Sequence, residues 1–159
     1  MSALGVTACI HHPQRDAEWD ARFALIERSV GAPFGACVLN TANGQSIGWR
    51  ENERFGHCSS FKLSLAAMAL HLGQDGTISL DERLPYTAAD LLDYSPITQK
   101  YAGQGMTIRE LAHAAQVFSD NTAANLLLRR FGGPERLTAF WRGLGDTVSR
   151  LDRYEPDLN

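Results

Sequence analysis

The sequence predicts an α+β fold in which one helix and a β-hairpin precede an almost wholly helical remainder. Three observations carry this expectation. Apolar residues recur at helical spacing from Trp19 to Val30. A short apolar run, an Asn-Gly turn and a second short run then follow. From Ser60 onward the apolar period is helical again, broken mainly by glycine and proline.

Taken in order, Trp19, Phe23, Ile26 and Val30 mark one face of a helix from about Asp16 to Ser29, with Gly31 and Pro33 supplying the stop. Such a helix needs a surface to cover. Phe34 to Leu39, Asn43-Gly44 and Ser46-Ile47-Gly48-Trp49-Arg50 read as a hairpin able to provide it. From Ser60, the run Phe61, Leu63, Leu65, Ala66, Ala67, Met68, Ala69, Leu70 and Leu72 is apolar nearly all round, as expected of a central helix, and Gly73 is its expected end. Thr107-Ile108-Arg109-Glu110 is a capping box heading a helix to about Phe118, with Ile108, Leu111, Ala112 and Ala115 on its inner face. Thr122 to Phe131 is a second helix, closed by Gly132-Gly133. Pro134 opens a third, whose Leu137, Phe140, Trp141 and Leu144 face inward before Gly145 ends it. Beyond Asp146 no apolar period survives, and Arg150, Asp152, Arg153 and Glu155 alternate in sign like a loop held by charge pairs.

Composition excludes more than it assigns. A chain of 159 residues suits one domain or two small lobes. The net charge of -3 and the scattered arginines offer no polyanion-binding surface, so no nucleic-acid partner is expected. No apolar run approaches a membrane span, and Met1 to Ile10 shows neither the basic start nor the hydrophobic stretch of an export signal. Cys9, Cys37 and Cys58 are an odd number at long spacings without a CxxC pair, so buried thiols are expected rather than zinc ligands or a disulfide framework. His11-His12, His57, His71 and His113 form no metal box.

Three strings hold the chemistry. In Ser59-Ser60-Phe61-Lys62 a lysine one helical turn from a serine lies over the same face, where it can take the hydroxyl proton, and the helix N-terminus favours a developing oxyanion. The pattern by itself is common, and without context a capping serine with a surface lysine is the more frequent reading. Two features favour chemistry: Lys62 sits in the most apolar helix, and it shares the chain with only one other lysine, Lys100. Ser119-Asp120-Asn121 falls between two helices, where one residue serves as N-cap, and a hydroxyl near Lys62 could relay a proton. Glu155, followed by Pro156 and four residues later by Asn159, could hold a hydrolytic water between carboxylate and amide.

Taken with Asp93-Tyr94-Ser95-Pro96, Gly105-Met106-Thr107, Gly132-Gly133-Pro134, and Arg150 through Asn159, these strings closely resemble the class A serine β-lactamases, from the first helix onward. The resemblance implies a β-lactamase/transpeptidase-like fold. Residues 1–57 would give the helix and hairpin of an α/β lobe, 58–145 an all-helical lobe carrying the nucleophile, and 146–159 the start of an Ω-loop. It implies hydrolysis of a small-molecule β-lactam through an acyl-enzyme, with no cofactor. Ser59 would be the nucleophile and Ser119 the proton donor to the lactam nitrogen. Lys62 or Glu155 would take the proton in acylation, and Glu155 with Asn159 would activate the deacylating water. Asn121 would bind the substrate's side-chain amide and Tyr94 would form the aromatic wall, while Asp120, Asn125, Arg150, Asp152 and Arg153 match structural positions.

The departures bear on function as much as the matches. Neither lysine begins the family's Lys-Thr-Gly triplet, and the remaining strands of the sheet are expected to be missing, so a complementing C-terminal segment or a swapped chain is an expected partner. Ala66 and Ala112 stand where some members carry a bridging cysteine pair. Cys58 matches a cysteine that one carbapenem-hydrolysing subset pairs with a partner farther along. A penicillin-binding peptidase shares the first two strings but lacks the glutamate, and a non-catalytic fragment is the third alternative. Family members are exported, which implies a periplasmic or secreted protein.

Overall fold

The computed structural model describes residues 17–157, so the expectations for Cys9, His11-His12 and Asn159 lie outside the described residues. The chain divides into two compact units between Phe55 and Gly56. In the first, helix α1 (Ala17–Val30) precedes strands β1 (Ala36–Leu39) and β2 (Ser46–Trp49), paired antiparallel with Ala36 opposite Trp49 and Leu39 opposite Ser46. Phe23 anchors the helix to the hairpin, its ring 5.9 Å from that of Phe34 and 6.0 Å from that of Trp49. The expected inward face is otherwise open: Trp19, Ile26 and Val30 are exposed, because two strands are too narrow to cover a helix of this length. Cys37 is exposed for the same reason, which overturns the expected buried thiol.

The second unit is helical. A 3-10 turn (Cys58–Ser60) leads into α2 (Phe61–Gln74), followed by α3 (Ile108–Phe118), α4 (Asn121–Phe131) and α5 (Pro134–Gly143). Two-residue strands β3 (Arg83–Leu84) and β4 (Met106–Thr107) pair antiparallel just before α3. The core forms where α2, α3 and α4 meet, around Leu65, Ala69, Ile108, Leu111, Ala115, Leu127 and Leu128. All four residues expected on the inner face of α3 are buried, and its capping box is present in both directions, the Thr107 hydroxyl accepting the Glu110 N–H while the Glu110 carboxylate accepts the Thr107 N–H.

Four local expectations need correction. Helix α2 is not buried all round: Leu63, Ala67 and Leu70 lie on one exposed stripe, with Leu63 61% accessible. It also runs through Gly73, where a side chain would collide with Leu80, and ends only at Gln74. Helix α4 begins at Asn121 rather than Thr122, because Asp120 is the cap. Leu144 lies beyond the end of α5 and is 70% exposed, so it does not face inward.

Candidate active site

Lys62 is the centre of the site. In the first turn of α2, its side chain is enclosed by the core, and the residue is 1% exposed. Its Nζ meets five oxygens: Ser59 Oγ at 3.2 Å, Ser119 carbonyl O at 3.0 Å, Ser119 Oγ at 3.1 Å, Asn121 Oδ1 at 2.6 Å and Glu155 Oε1 at 2.9 Å. An ammonium has three protons for these five acceptors, so the contacts compete. Burial of the charge is offset by a carboxylate whose own side chain is only 9% exposed.

Each partner is held by its own element. Ser59 lies in the 3-10 turn before α2, after Cys58 at φ +45°. Cys58 is exposed, again against the expected buried thiol, because the turn carries it outside the helical core. Ser119 closes α3 in the left-handed conformation, φ +55°, which turns both its carbonyl and its hydroxyl toward Lys62. Tyr94 at φ +61° is the third non-glycine residue of this unit in that region. Such conformations cost of order 1 to 3 kcal/mol and persist where surroundings over-determine them. Here Ser119 bonds Lys62 directly, Cys58 precedes Ser59 in the chain, and the Tyr94 carbonyl accepts the Asn121 N–H.

Asp120 fixes the Ser119–Asn121 turn from beneath. Fully buried, its carboxylate accepts the N–H groups of Ile97, Thr98 and Ala123 at 3.0, 2.9 and 2.9 Å, and the Thr98 hydroxyl at 2.9 Å. The Thr98 carbonyl in turn accepts the Tyr86 hydroxyl at 2.8 Å, and burial, then the Asp120 charge, pushes that phenol up to about 12. Asn121 donates its side-chain N–H to the Asp93 carbonyl at 3.0 Å and its backbone N–H to the Tyr94 carbonyl at 3.1 Å. Those bonds tie the Tyr94 backbone to Asn121, and Tyr94 itself is 66% exposed.

Glu155 is positioned through its backbone. Asn125, buried in α4, donates to the Glu155 carbonyl at 2.8 Å and accepts the Glu155 N–H at 3.0 Å. Farther back, Thr138 of α5 bonds both the N–H and the carbonyl of Leu151, and Arg150 pairs with Asp152 at 2.8 Å. The turn after α5 is set by Asp146, whose carboxyl the Ser149 side chain and the Ser149 and Val148 amides hold down at about 2. Ser59, Lys62, Ser119, Asn121 and Glu155 therefore converge on one point, with Tyr94 beside them. The His57 ring, two residues before Ser59, stacks on Trp141, a contact that nothing in the sequence spacing marked. Among the described residues no cluster of His, Cys, Asp and Glu could hold a metal ion, and no helix is long and apolar enough to cross a membrane.

A model of the beta-lactamase enzyme family matches residues 19–159. Beta-lactamase L2 of Stenotrophomonas maltophilia is 50% identical over 137 residues, covering 86% of this chain and 45% of that protein. The carbapenem-hydrolyzing beta-lactamase KPC of Klebsiella oxytoca is 47% identical over 137 residues, covering 86% of this chain and 47% of its own length. Among solved structures, an ancestral (GNCA) class A beta-lactamase superposes with a TM-score of 0.83 at 51% identity, over 86% of this chain and 52% of that one. A beta lactamase from Burkholderia vietnamiensis does so with a TM-score of 0.86 at 47% identity, over 92% and 55%. The chain spans about half the length of the curated relatives it matches.

Proposed function

The chain belongs to the beta-lactamase enzyme family, and from that premise we propose that its site performs serine acyl-transfer on a β-lactam followed by hydrolysis, together with a C-terminal segment of the kind its relatives carry. The observation that carries this reading is the single lysine Nζ in hydrogen-bond reach of Ser59 Oγ, Ser119 Oγ and Glu155 Oε1.

With one proton passed to Glu155, the Lys62 nitrogen presents a lone pair to the Ser59 hydroxyl. Ser59 Oγ attacks the lactam carbonyl carbon and its proton moves to Lys62. The N–H groups at the head of α2 stabilise the oxyanion. The proton then passes through Ser119 Oγ to the lactam nitrogen as the C–N bond breaks, leaving an ester on Ser59. Glu155 first returns its proton to Lys62. Then, with Asn159 holding the water, it takes a proton from that water, whose oxygen attacks the ester carbonyl, and the proton passes to Ser59 Oγ as the ester C–O bond breaks. Asn121 and Tyr94 bind the substrate's side chain. Lys62 rather than Glu155 is assigned the acylation step because it touches Ser59 Oγ directly. The relatives' export to the periplasm or medium is the localisation proposed for this protein.

The test is a chimera in which this chain is continued by the C-terminal half of the Stenotrophomonas maltophilia L2 enzyme. It should hydrolyse the chromogenic cephalosporin nitrocefin. Ser59→Ala should abolish turnover, and Glu155→Gln with benzylpenicillin should accumulate an adduct carrying the mass of intact penicillin on the Ser59 peptide. The 159-residue chain alone should be slower by roughly 100-fold or more, because the family resemblance implies that a second oxyanion N–H comes from the C-terminal portion, and one such donor is worth about that factor. A long-lived adduct on the unsubstituted chimera would decide for a peptidase-like acyl transferase, and no adduct on Ser59 would sink both.

A further inference from the structure

Helix α5 meets both reacting ends of the site. Its Thr138 bonds the backbone of Leu151, four residues before Glu155, accepting the Leu151 N–H at 2.9 Å. One turn later on the same helix, buried Trp141 stacks on the imidazole of His57, with ring centroids 5.0 Å apart and planes at 15°. His57 lies two residues before Ser59 and is the hinge of its turn. The His57 carbonyl accepts the Ser60 N–H at 3.0 Å and the Ser60 hydroxyl at 2.6 Å, while the imidazole Nδ1 is 3.3 Å from the same hydroxyl.

Apart from the Lys62 contact to Ser59 Oγ, the turn has little else to hold it. No side-chain cap bond closes its start, Ser59 and Ser60 are exposed, and Cys58 must keep a left-handed φ between the hinge and the nucleophile. A flat ring locked against a core tryptophan supplies the missing constraint. We propose that His57, through its stack on Trp141, is a positioning residue that sets the Ser59 hydroxyl against Lys62, with α5 as the common support that fixes Ser59 relative to Glu155. The catalytic half of this inference rests on the acyl-transfer reading given above.

In the chimera, His57→Ala is expected to lower kcat for nitrocefin by roughly 10- to 100-fold with KM little changed, since displacement of a reacting atom by an ångström costs on that scale. His57→Phe keeps a flat ring without the nitrogens and is expected to recover most of the loss. A kcat for His57→Ala equal to the parent's, or a His57→Phe variant as slow as His57→Ala, overturns the proposal. Hydrogen exchange on the 159-residue chain tests the hinge without catalysis. The Ser60 amide should exchange at least about tenfold faster in His57→Ala and at the parental rate in His57→Phe. Unchanged exchange in His57→Ala overturns the positioning role whether or not the chimera turns over, whereas absent turnover in the parent with accelerated exchange defeats only the acyl-transfer reading.

Discussion

Asp120 shows how one buried carboxylate can hold a turn whose two flanking residues both bond the same lysine. Its neighbours Ser119 and Asn121 both bond Lys62, yet neither could keep its place if the chain between them relaxed. The buried carboxylate takes four donors from two directions, Ile97 and Thr98 on one side and Ala123 at the head of α4 on the other. Asp120→Ala would strand three backbone N–H groups in a place without water, at about 1 to 3 kcal/mol each before relaxation. Urea unfolding should therefore show a loss of about 3 to 5 kcal/mol, near that of breaking a buried charged network. Asp120→Asn, which keeps one acceptor oxygen, should lose clearly less. Equal losses for the two variants would show that the cavity matters and the hydrogen bonds do not.

At the level of the element, what the sequence revealed was what local rules decide. The Thr107–Glu110 box and the four buried positions of α3 follow from spacing within one helix, and the structure has both. Gly132 likewise ends α4 at φ +102°, a conformation glycine alone adopts freely. Positions decided by distant partners were not legible in the same way. Gly73 looked like a stop, but its backbone is helical and its missing side chain makes room for Leu80, whose Cγ would lie 2.7 Å from an added Cβ. Cys37 and Leu63 looked buried because they are apolar, whereas burial depends on what covers them. The site was legible as three strings, and the meeting of Ser59, Ser119 and Glu155 at Lys62 came from folding. Gly73→Ala separates the two readings of that glycine. Helix propensity would favour alanine by about 1 kcal/mol, but the collision falls on a branch point rather than a free side-chain end, and overpacking costs about 1 to 3 kcal/mol. A net loss of stability in thermal melting is expected, and a gain would show that Leu80 swings away freely.

Across the whole molecule the two units differ in what holds them. No described residue before Phe61 is buried. Residues 17–55 rely instead on the Phe23 ring contacts and on Arg50, whose guanidinium pairs with Glu27 at 2.8 Å and with Glu53 at 3.1 Å. Surface pairs of this kind contribute about 0 to 1 kcal/mol. A 14-residue helix on an isolated hairpin is marginal in water. The helical unit has a continuous core from Phe61 to Leu151 and a bidentate pair between Arg130 and Glu82 at 2.7 and 2.8 Å. Stability should therefore be unequal along the chain rather than spread evenly. In native-state hydrogen exchange on the 159-residue polypeptide, amides of α1 and the hairpin should open at less than about 2 kcal/mol, while those of α2, α3 and α4 exchange only with global unfolding. In the chimera the hairpin amides should gain protection, because a strand added to a sheet edge pairs groups otherwise open to water. Equal protection of α1 and α2 in the polypeptide alone would show that the first unit is independently stable. The C-terminal segment would then be needed for the site's chemistry and not for completing the sheet.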